Sequence, residues 1–184
     1  MQDRADGVKG DAPSRLDLII RIVSLCVAMF GIFQYFHNIT LDRSRRAAEA
    51  SLGYVASYNG EDLKQQRRLL FEFWIRNGDA LIWLEQHKVS GQEYQSFMLS
   101  AFENDKKGRG LLESVYNIAN FYDQVEVCRS THICDSQVIL NHFCPSATDF
   151  RDKYGPIFVQ LGALSGTPNF AQGVKEMAQA CSRS

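Results

Sequence analysis

The chain has 184 residues, a formal net charge of −1 and a sequence pI near 6.4. This balance excludes a general nucleic-acid binder, which would carry a strong basic excess, so any anion site must be local. The 4 prolines, the 12 phenylalanines and the scarcity of alternating β-branched runs favour helices over a β-sandwich or barrel.

The segment Leu16–Phe36, LDLIIRIVSLCVAMFGIFQYF, is long and apolar enough to cross a lipid bilayer. As a helix its 21 residues rise about 31 Å, close to the roughly 30 Å hydrocarbon thickness. Arg21 lies one turn inside the segment, where its side chain can reach the headgroups. A buried core helix and a cleaved signal peptide are alternatives, but no small-residue cleavage site follows the segment. We interpret it as an uncleaved single-pass anchor.

The chain is predicted to divide into four parts, which together give an all-α protein. Residues 1–13 are rich in Gly, Pro and mixed charge and predict a disordered tail. Residues 14–38 form the transmembrane helix, and residues 39–58 form a juxtamembrane helix that can continue it. Residues 59–184 then have enough apolar side chains for one helical bundle.

Within the bundle, turn signals and apolar periodicity predict six further helical segments. They begin near Glu61, Asp79, Gly91, Leu111, Asp135 and Ser146, and a last helix follows from about Pro168. The clearest stripe is expected at the centre of the bundle and consists of Leu111, Val115, Ile118, Tyr122 and Val125, widened by Leu112 and Ala119. Cys144-Pro145-Ser146 is expected to stop one helix, and Gly155-Pro156 to kink or split the next. Trp74 and Trp83 are expected in the core.

The orientation of the anchor is predicted from its flanking cations. Arg43, Arg45 and Arg46 are clustered after the span, whereas three cations are spread thinly before it. Clustered cations favour the cytosolic side, so the domain is predicted to be cytosolic. In the cytosol, cysteines stay reduced or bind metal, whereas in an oxidising compartment they pair.

Cysteine and histidine are concentrated between residues 128 and 144. The five residues are Cys128, His132, Cys134, His142 and Cys144. Four of them could supply zinc ligands, but the spacing matches no standard zinc finger. We therefore favour buried thiols with surface histidines over a metal site or a disulfide. The state of these cysteines and of Cys181 stays open at this point.

No catalytic constellation stands out in the sequence. The HEPN ribonucleases require an arginine followed four to six residues later by a histidine, and here Arg129 and His132 have only two residues between them. There is no Gly-rich phosphate loop after a strand and no Ser/His/Asp signature. The sequence predicts a protein that is not an enzyme and that uses no cofactor or metal.

The best local anion site is the loop with sequence KKGRG. Lys106, Lys107 and Arg109 lie just before a predicted helix, whose first N–H groups point outward. A phosphate of a nucleotide signal could bind there. The alternative is a solvated loop between two helices.

One face of the span combines small and polar residues. Arg21, Ser24, Ala28 and Gly31 follow helical spacings of 3, 4 and 3. Small residues let helices approach closely in lipid, so this face predicts a homo-oligomer and could line a channel. The alternative is that Arg21 only reaches the headgroups and the stripe is accidental.

The organisation resembles known bacterial proteins. The stretches LLESVYNIANFYDQVEVCRSTHICD and FRDKYGPIF, within roughly residues 61–165, resemble a bacterial domain-of-unknown-function family of membrane-anchored helical proteins. The layout is also similar to the small membrane accessory proteins of type VI-B CRISPR systems, which form oligomeric pores that reinforce anti-phage defence. Their divergent HEPN-type motif is not matched here. A second similar layout is that of type III CRISPR membrane effectors, which bind a cyclic oligoadenylate.

These resemblances imply an inner-membrane, single-pass, oligomeric effector or accessory protein in anti-phage defence, with pore formation as one way in which it could act. The implied partners are the bilayer, further copies of the chain, and an effector-complex protein or a nucleotide second messenger. A structural membrane tether for a cytosolic partner is the alternative, as is a membrane effector that binds a nucleotide signal.

Overall fold

The computed structural model describes residues 15–87 and 90–183, and these residues are all-α without any strand. The seven helices within this described part are α1 (Arg15–Tyr58), α2 (Glu61–Arg76), α3 (Gly78–Gln86), α4 (Gly91–Asn104), α5 (Gly108–Ser130), α6 (Ser136–Ser165) and α7 (Gln172–Cys181). The predicted all-α class is confirmed. The predicted disordered tail, residues 1–13, lies outside the described residues.

The chain divides into two compact units inside α1. The first unit ends at Arg43 and the second begins at Ser44. The end of α1 therefore belongs to the bundle, although the sequence assigned it to a separate juxtamembrane segment. Its buried Ser51 hydroxyl accepts a hydrogen bond from the backbone N–H of Asp135 at 2.8 Å, and the Ala47 carbonyl accepts from the same N–H at 3.2 Å.

Helix α5 lies at the centre of the second unit, as its apolar stripe predicted. It packs against α2, α4, α6 and α7. The fully buried members of the predicted stripe are Leu111, Val115, Ile118, Ala119, Tyr122 and Val125. The stripe is long because α5 contacts partners along most of its length, so burial at helical spacing continues from its first turn to its last.

The prediction that Cys144-Pro145-Ser146 ends a helix is wrong. Helix α6 is continuous through both Pro145 and Pro156. One face is buried on both sides of each proline, and its members are Ile139, Phe143, Ala147, Phe150, Tyr154, Ile157, Phe158 and Leu161. A proline removes a single backbone hydrogen bond. The packing of this long face outweighs that local cost, and Gly166, in the left-handed region at φ 67°, ends the helix.

Side-chain caps fix the starts of α4 and α6. The Ser90 hydroxyl accepts the N–H of Glu93, whose carboxylate accepts the N–H of Ser90 at 2.7 Å. This reciprocal pair is a capping box. The Asp135 carboxylate accepts the N–H groups of Gln137 and Val138, and the helix begins where the sequence predicted, near Asp135.

The two tryptophans have different environments. Trp74 is partly buried against the core, as predicted, and its indole N–H donates to the Tyr154 hydroxyl. The prediction of a core position is wrong for Trp83, which is 55% exposed and stacks on the ring of His87 at 4.4 Å. Helix α3 has only nine residues, and among its residues with described side chains Leu84 is the buried hydrophobic one.

Helix α7 is held against α5 by a very close backbone approach. The N–H of Gly173 donates to the Asp123 carboxylate at 2.6 Å. A Cβ at position 173 would lie 2.6 Å from the Cα of Asp123. Only glycine permits this separation, because the obstacle is backbone and cannot rotate away.

We expect Gly173→Ala to destabilise the bundle by about 1–3 kcal/mol, because the added methyl group separates α7 from α5. The measurement is urea unfolding of the purified chain in non-ionic detergent, followed by circular dichroism. Gly110→Ala is the control, since its Cβ would meet no atom within 4 Å, and it should stabilise α5 by about 0.5–1 kcal/mol. Equal effects of the two substitutions would contradict the close approach.

Candidate functional site

All four cysteines of the bundle are paired, so the interpretation of buried thiols is wrong. Disulfides join Cys128 to Cys134 and Cys144 to Cys181. The turn after α5 brings the first pair of Cα atoms to 5.2 Å, and the packing of α7 on α6 brings the second pair to 5.5 Å. The sequence left the second pairing open because it depends on how two distant helices pack. Cys26 is the free cysteine of the described residues.

The disulfides also remove the ligands of the alternative zinc site. Disulfide sulfur cannot act as the thiolate that zinc requires. His132 and His142 are both exposed, and His132 adopts a left-handed conformation at φ 60° in the turn. Within residues 15–87 and 90–183 no three His, Cys, Asp or Glu side chains are grouped to hold a metal ion.

Arg129, the arginine nearest to a histidine, has a structural partner. Its guanidinium donates two hydrogen bonds to the carboxylate of Glu126, at 2.7 and 2.5 Å. Glu126 is only 4% exposed. The hydrogen bonds to Glu126 outweigh burial and raise the pKa of Arg129. This pair satisfies a buried carboxylate at the end of α5, next to the first disulfide.

Acidic side chains lie beside the predicted anion loop. The Lys107 ammonium pairs with Glu72 at 3.2 Å, and the Asp105 carboxylate accepts the backbone N–H of Lys107 at 2.7 Å. Asp105 also pairs with Arg76 at 2.9 Å. A phosphate in this loop would compete with carboxylates that are already in place. Lys106 and Arg109 are exposed, and the anion site remains a prediction.

A glycine sets the geometry of this loop. A Cβ on Gly108, the first residue of α5, would lie 2.2 Å from the Phe102 carbonyl oxygen. The loop borders a cleft of about 650 Å³ between α2 and α4, lined by Arg76, Asn77, Phe97, Ser100, Ala101, Asn104, Asp105, Lys106 and Lys107. The cleft is large enough for a small ligand, but three of its four charged side chains, Arg76, Asp105 and Lys107, already have partners.

The predicted oligomer face lies on the exposed part of α1. Arg21, Ser24, Ala28 and Gly31 are all in this helix and are all exposed. A Cβ at Gly31 would meet nothing within 4 Å. The face is therefore open for contact with another helix. The large apolar residues around it are exposed as well, among them Leu18, Ile22, Leu25, Met29, Ile32 and Phe36.

Sequence reasoning missed a small cavity of about 190 Å³ among four helices. Its lining residues are Tyr58, Arg67, Leu70, Phe71, Trp74, Ile118, Tyr122, Ser146, Asp149, Phe150, Lys153 and Tyr154. The Arg67 guanidinium lies over the ring of Tyr58, 4.0 Å from its centroid. Arg67 was visible in the sequence only as part of a cationic run with Lys64 and Arg68. Arg67 differs from Lys64 and Arg68 in being partly buried, and this difference depends on how the helices pack.

The polar groups of this cavity differ in how they are satisfied. The Tyr122 hydroxyl donates to Ser146 at 2.9 Å, and Lys153 pairs with Asp149 at 2.8 Å. Burial raises the pKa values of Tyr122 and Tyr154, so both phenols stay neutral. The buried Nε of Arg67, in contrast, has no hydrogen-bond partner. The cavity thus combines an apolar wall with one unsatisfied cationic donor.

No protein-family model, curated protein or solved structure matches this chain.

We expect the Asp105 ion pair to stabilise the fold in a pH-dependent manner. Burial acts to raise the pKa of this carboxyl, but donation from Lys107 and Arg76 outweighs it and holds the pKa below the usual 3.8. A lowered folded-state pKa contributes stability above the unfolded pKa, and this contribution is lost as the pH falls through the folded value. Asp105→Asn should therefore lower the Tm near neutral pH, and the gap to wild type should shrink in acid.

The measurement is thermal unfolding at a series of pH values from about 6 down to about 3. Asp152→Asn is the control, because its carboxylate is 59% exposed and pairs with the adjacent Arg151. An exposed pair of this kind contributes little, so its Tm should stay near wild type throughout. A gap for Asp105→Asn that does not change with pH would contradict the prediction.

Proposed function

We propose that this chain is a single-pass membrane protein that acts by binding and assembly rather than by catalysis. The observation that carries the proposal is the N-terminal part of α1, which by length and composition could cross a membrane. Its apolar side chains from Leu18 to Phe36 are exposed, which is unlike a helix buried in a soluble core. A signal sequence has a similar composition, and the first experiment below separates the two.

The orientation that we propose places the bundle in an oxidising compartment. The sequence predicted a cytosolic bundle from the arginine cluster after the span, Arg43, Arg45 and Arg46. That prediction is based on a small difference in charge between the two sides of the span. Two disulfides now favour the opposite side, because cytosolic thiols are kept reduced. The disulfides carry more weight, since the first closes the turn after α5 and the second joins two packed helices, α6 and α7.

We further propose that the protein works as an oligomer assembled through the span. The open face of Arg21, Ser24, Ala28 and Gly31 supports this, because small residues allow close helix approach and a polar group is better placed against a partner than against acyl chains. An effector or accessory role in anti-phage defence, including pore formation, is supported only by the resemblance in layout.

The alternative role is that of a membrane tether for a partner protein. Expression of an effector under its trigger should depolarise cells, whereas a tether should not.

We expect alkaline phosphatase fused to the C-terminus to be active in a bacterial host, because this enzyme needs an oxidising compartment to form its own disulfides. A fluorescent-protein fusion that matures only in the cytosol is the matched reporter and should be dark. The opposite pattern would support a cytosolic bundle.

Extraction of the membranes with alkaline carbonate tests whether the span is an anchor. Release of a shortened chain would indicate a cleaved signal sequence.

We expect Gly31→Leu to weaken assembly of the full chain in mild detergent by about tenfold or more, because its side chain would separate the packed helices. Ile32→Leu, one residue along and on the apolar side, should leave the oligomer unchanged. The measurement is size-exclusion chromatography with light scattering over a range of protein concentrations. Equal behaviour of the two variants would reject the proposed face.

A further inference from the structure

Arg67 differs from the other cations of the bundle in having a buried donor and no anionic partner. Within the part of the chain that the structure describes, carboxylates pair with Lys64, Arg68, Arg76, Lys107, Arg129, Arg151 and Lys153. Arg67 takes part in no such pair, although its side chain is partly buried and its Nε is fully buried without a hydrogen-bond partner. Buried charges in folded proteins are normally paired, because desolvation is costly.

The contact with Tyr58 offsets only part of this cost. The guanidinium lies 4.0 Å from the centroid of the ring, a cation–π geometry. Such contacts contribute about 0.5–2 kcal/mol. A buried guanidinium N–H without an acceptor loses both a charge-assisted hydrogen bond and its hydration, and this cost is larger. Because Arg67 lines the cavity beside this ring, the other N–H groups of its guanidinium are the donors that an anion entering the cavity would meet.

The rest of the wall indicates the kind of anion. Leu70, Phe71, Ile118 and Phe150 supply apolar surface, and Trp74 adds an aromatic plane. The second cation, Lys153, is engaged by Asp149. One guanidinium matches one negative charge, and a dianion such as a phosphate monoester would bring a second charge that nothing neutralises. A carboxylate matches the planar fork of the guanidinium in both charge and shape.

We propose that the Arg67 cavity binds a small monocarboxylate with an aromatic body. The carboxylate accepts hydrogen bonds from Arg67, and the ring packs between Trp74, Phe150 and Ile118. The volume of about 190 Å³ restricts the ligand to a single ring with a short acid group. This site lies entirely within the second unit and does not depend on membrane anchoring or orientation.

The test uses the full chain in non-ionic detergent with phenylacetate as the probe. The chain has 2 tryptophans, so Trp83→Phe leaves Trp74, in the cavity wall, as the sole tryptophan reporter. We expect a saturable change in Trp74 emission and a rise in Tm at phenylacetate concentrations up to roughly 10 mM, a limit set by the small size of the probe. Benzyl alcohol, which lacks the carboxylate, and hexanoate, which lacks the ring, should each bind more weakly.

Arg67→Met, in the same Trp83→Phe background, removes the charge while keeping an unbranched side chain. It should weaken phenylacetate binding by roughly tenfold or more. It should not lower the Tm of the free protein, because an unpaired, partly buried charge is replaced by an apolar group. The matched control is Arg68→Met at the next position, where the side chain is 78% exposed and pairs with Glu72, and its phenylacetate affinity should be unchanged.

Three results would overturn the proposal. They are the absence of saturable phenylacetate binding, equal affinity for benzyl alcohol, and equal affinity of Arg67→Met and wild type. Equal affinity for hexanoate would reject the aromatic body. If Arg67→Met does not fold, Arg67→Lys takes its place, since it keeps the charge but lacks the fork, and unchanged affinity would then count against the proposed pairing.

Discussion

The contacts among four aromatic rings hold the second unit together. Tyr58 at the end of α1 meets Phe121 of α5 at 5.6 Å and Phe143 of α6 at 5.4 Å, centroid to centroid. Tyr122 packs against Phe143 at 6.2 Å. These edge-to-face and tilted pairs add to the apolar area that they bury. They join the end of α1 to α5 and α6, which follow much later in the sequence, and α5 and α6 in turn contact α2, α4 and α7.

The same cluster explains why a binding cavity can exist in so small a bundle. Tyr58 and Tyr122 belong to the cluster and also line the cavity around Arg67. Rings are stiff and cannot fold inward to fill a gap as long aliphatic chains can. The cavity wall is therefore held open by the packing that stabilises the fold, and the guanidinium above Tyr58 is positioned by the same ring.

Much of the fold could be predicted from local patterns. The stripe of α5 identified the central helix, and Asp135 identified the start of α6, because periodicity and caps are local properties of the chain. The path of α6 through Pro145 and Pro156 could not be predicted, since the packing that opposes the two prolines comes from other helices. The exposure of Trp83 has the same origin, because a short helix has few partners to cover it.

The candidate site was less accessible to sequence reasoning than the fold. Arg67 and its neighbour Arg68 are identical as residue types, and only the three-dimensional packing makes one partly buried and the other exposed. The cavity takes residues from α1, α2, α5 and α6, so no contiguous motif records it. The pairing of Cys144 with Cys181 likewise required α7 to be placed on α6. Properties that arise from several distant segments are beyond single-sequence patterns.

The connectivity of the disulfides has a consequence for how the protein matures. In chain order the four cysteines of the bundle pair first with second and third with fourth, across sequence separations of 6 and 37. In the orientation that we propose, the bundle crosses the membrane from its N-terminal end, so Cys128 and Cys134 can pair before Cys181 emerges. Cys144 then remains as the partner of Cys181. This order of emergence favours the native connectivity.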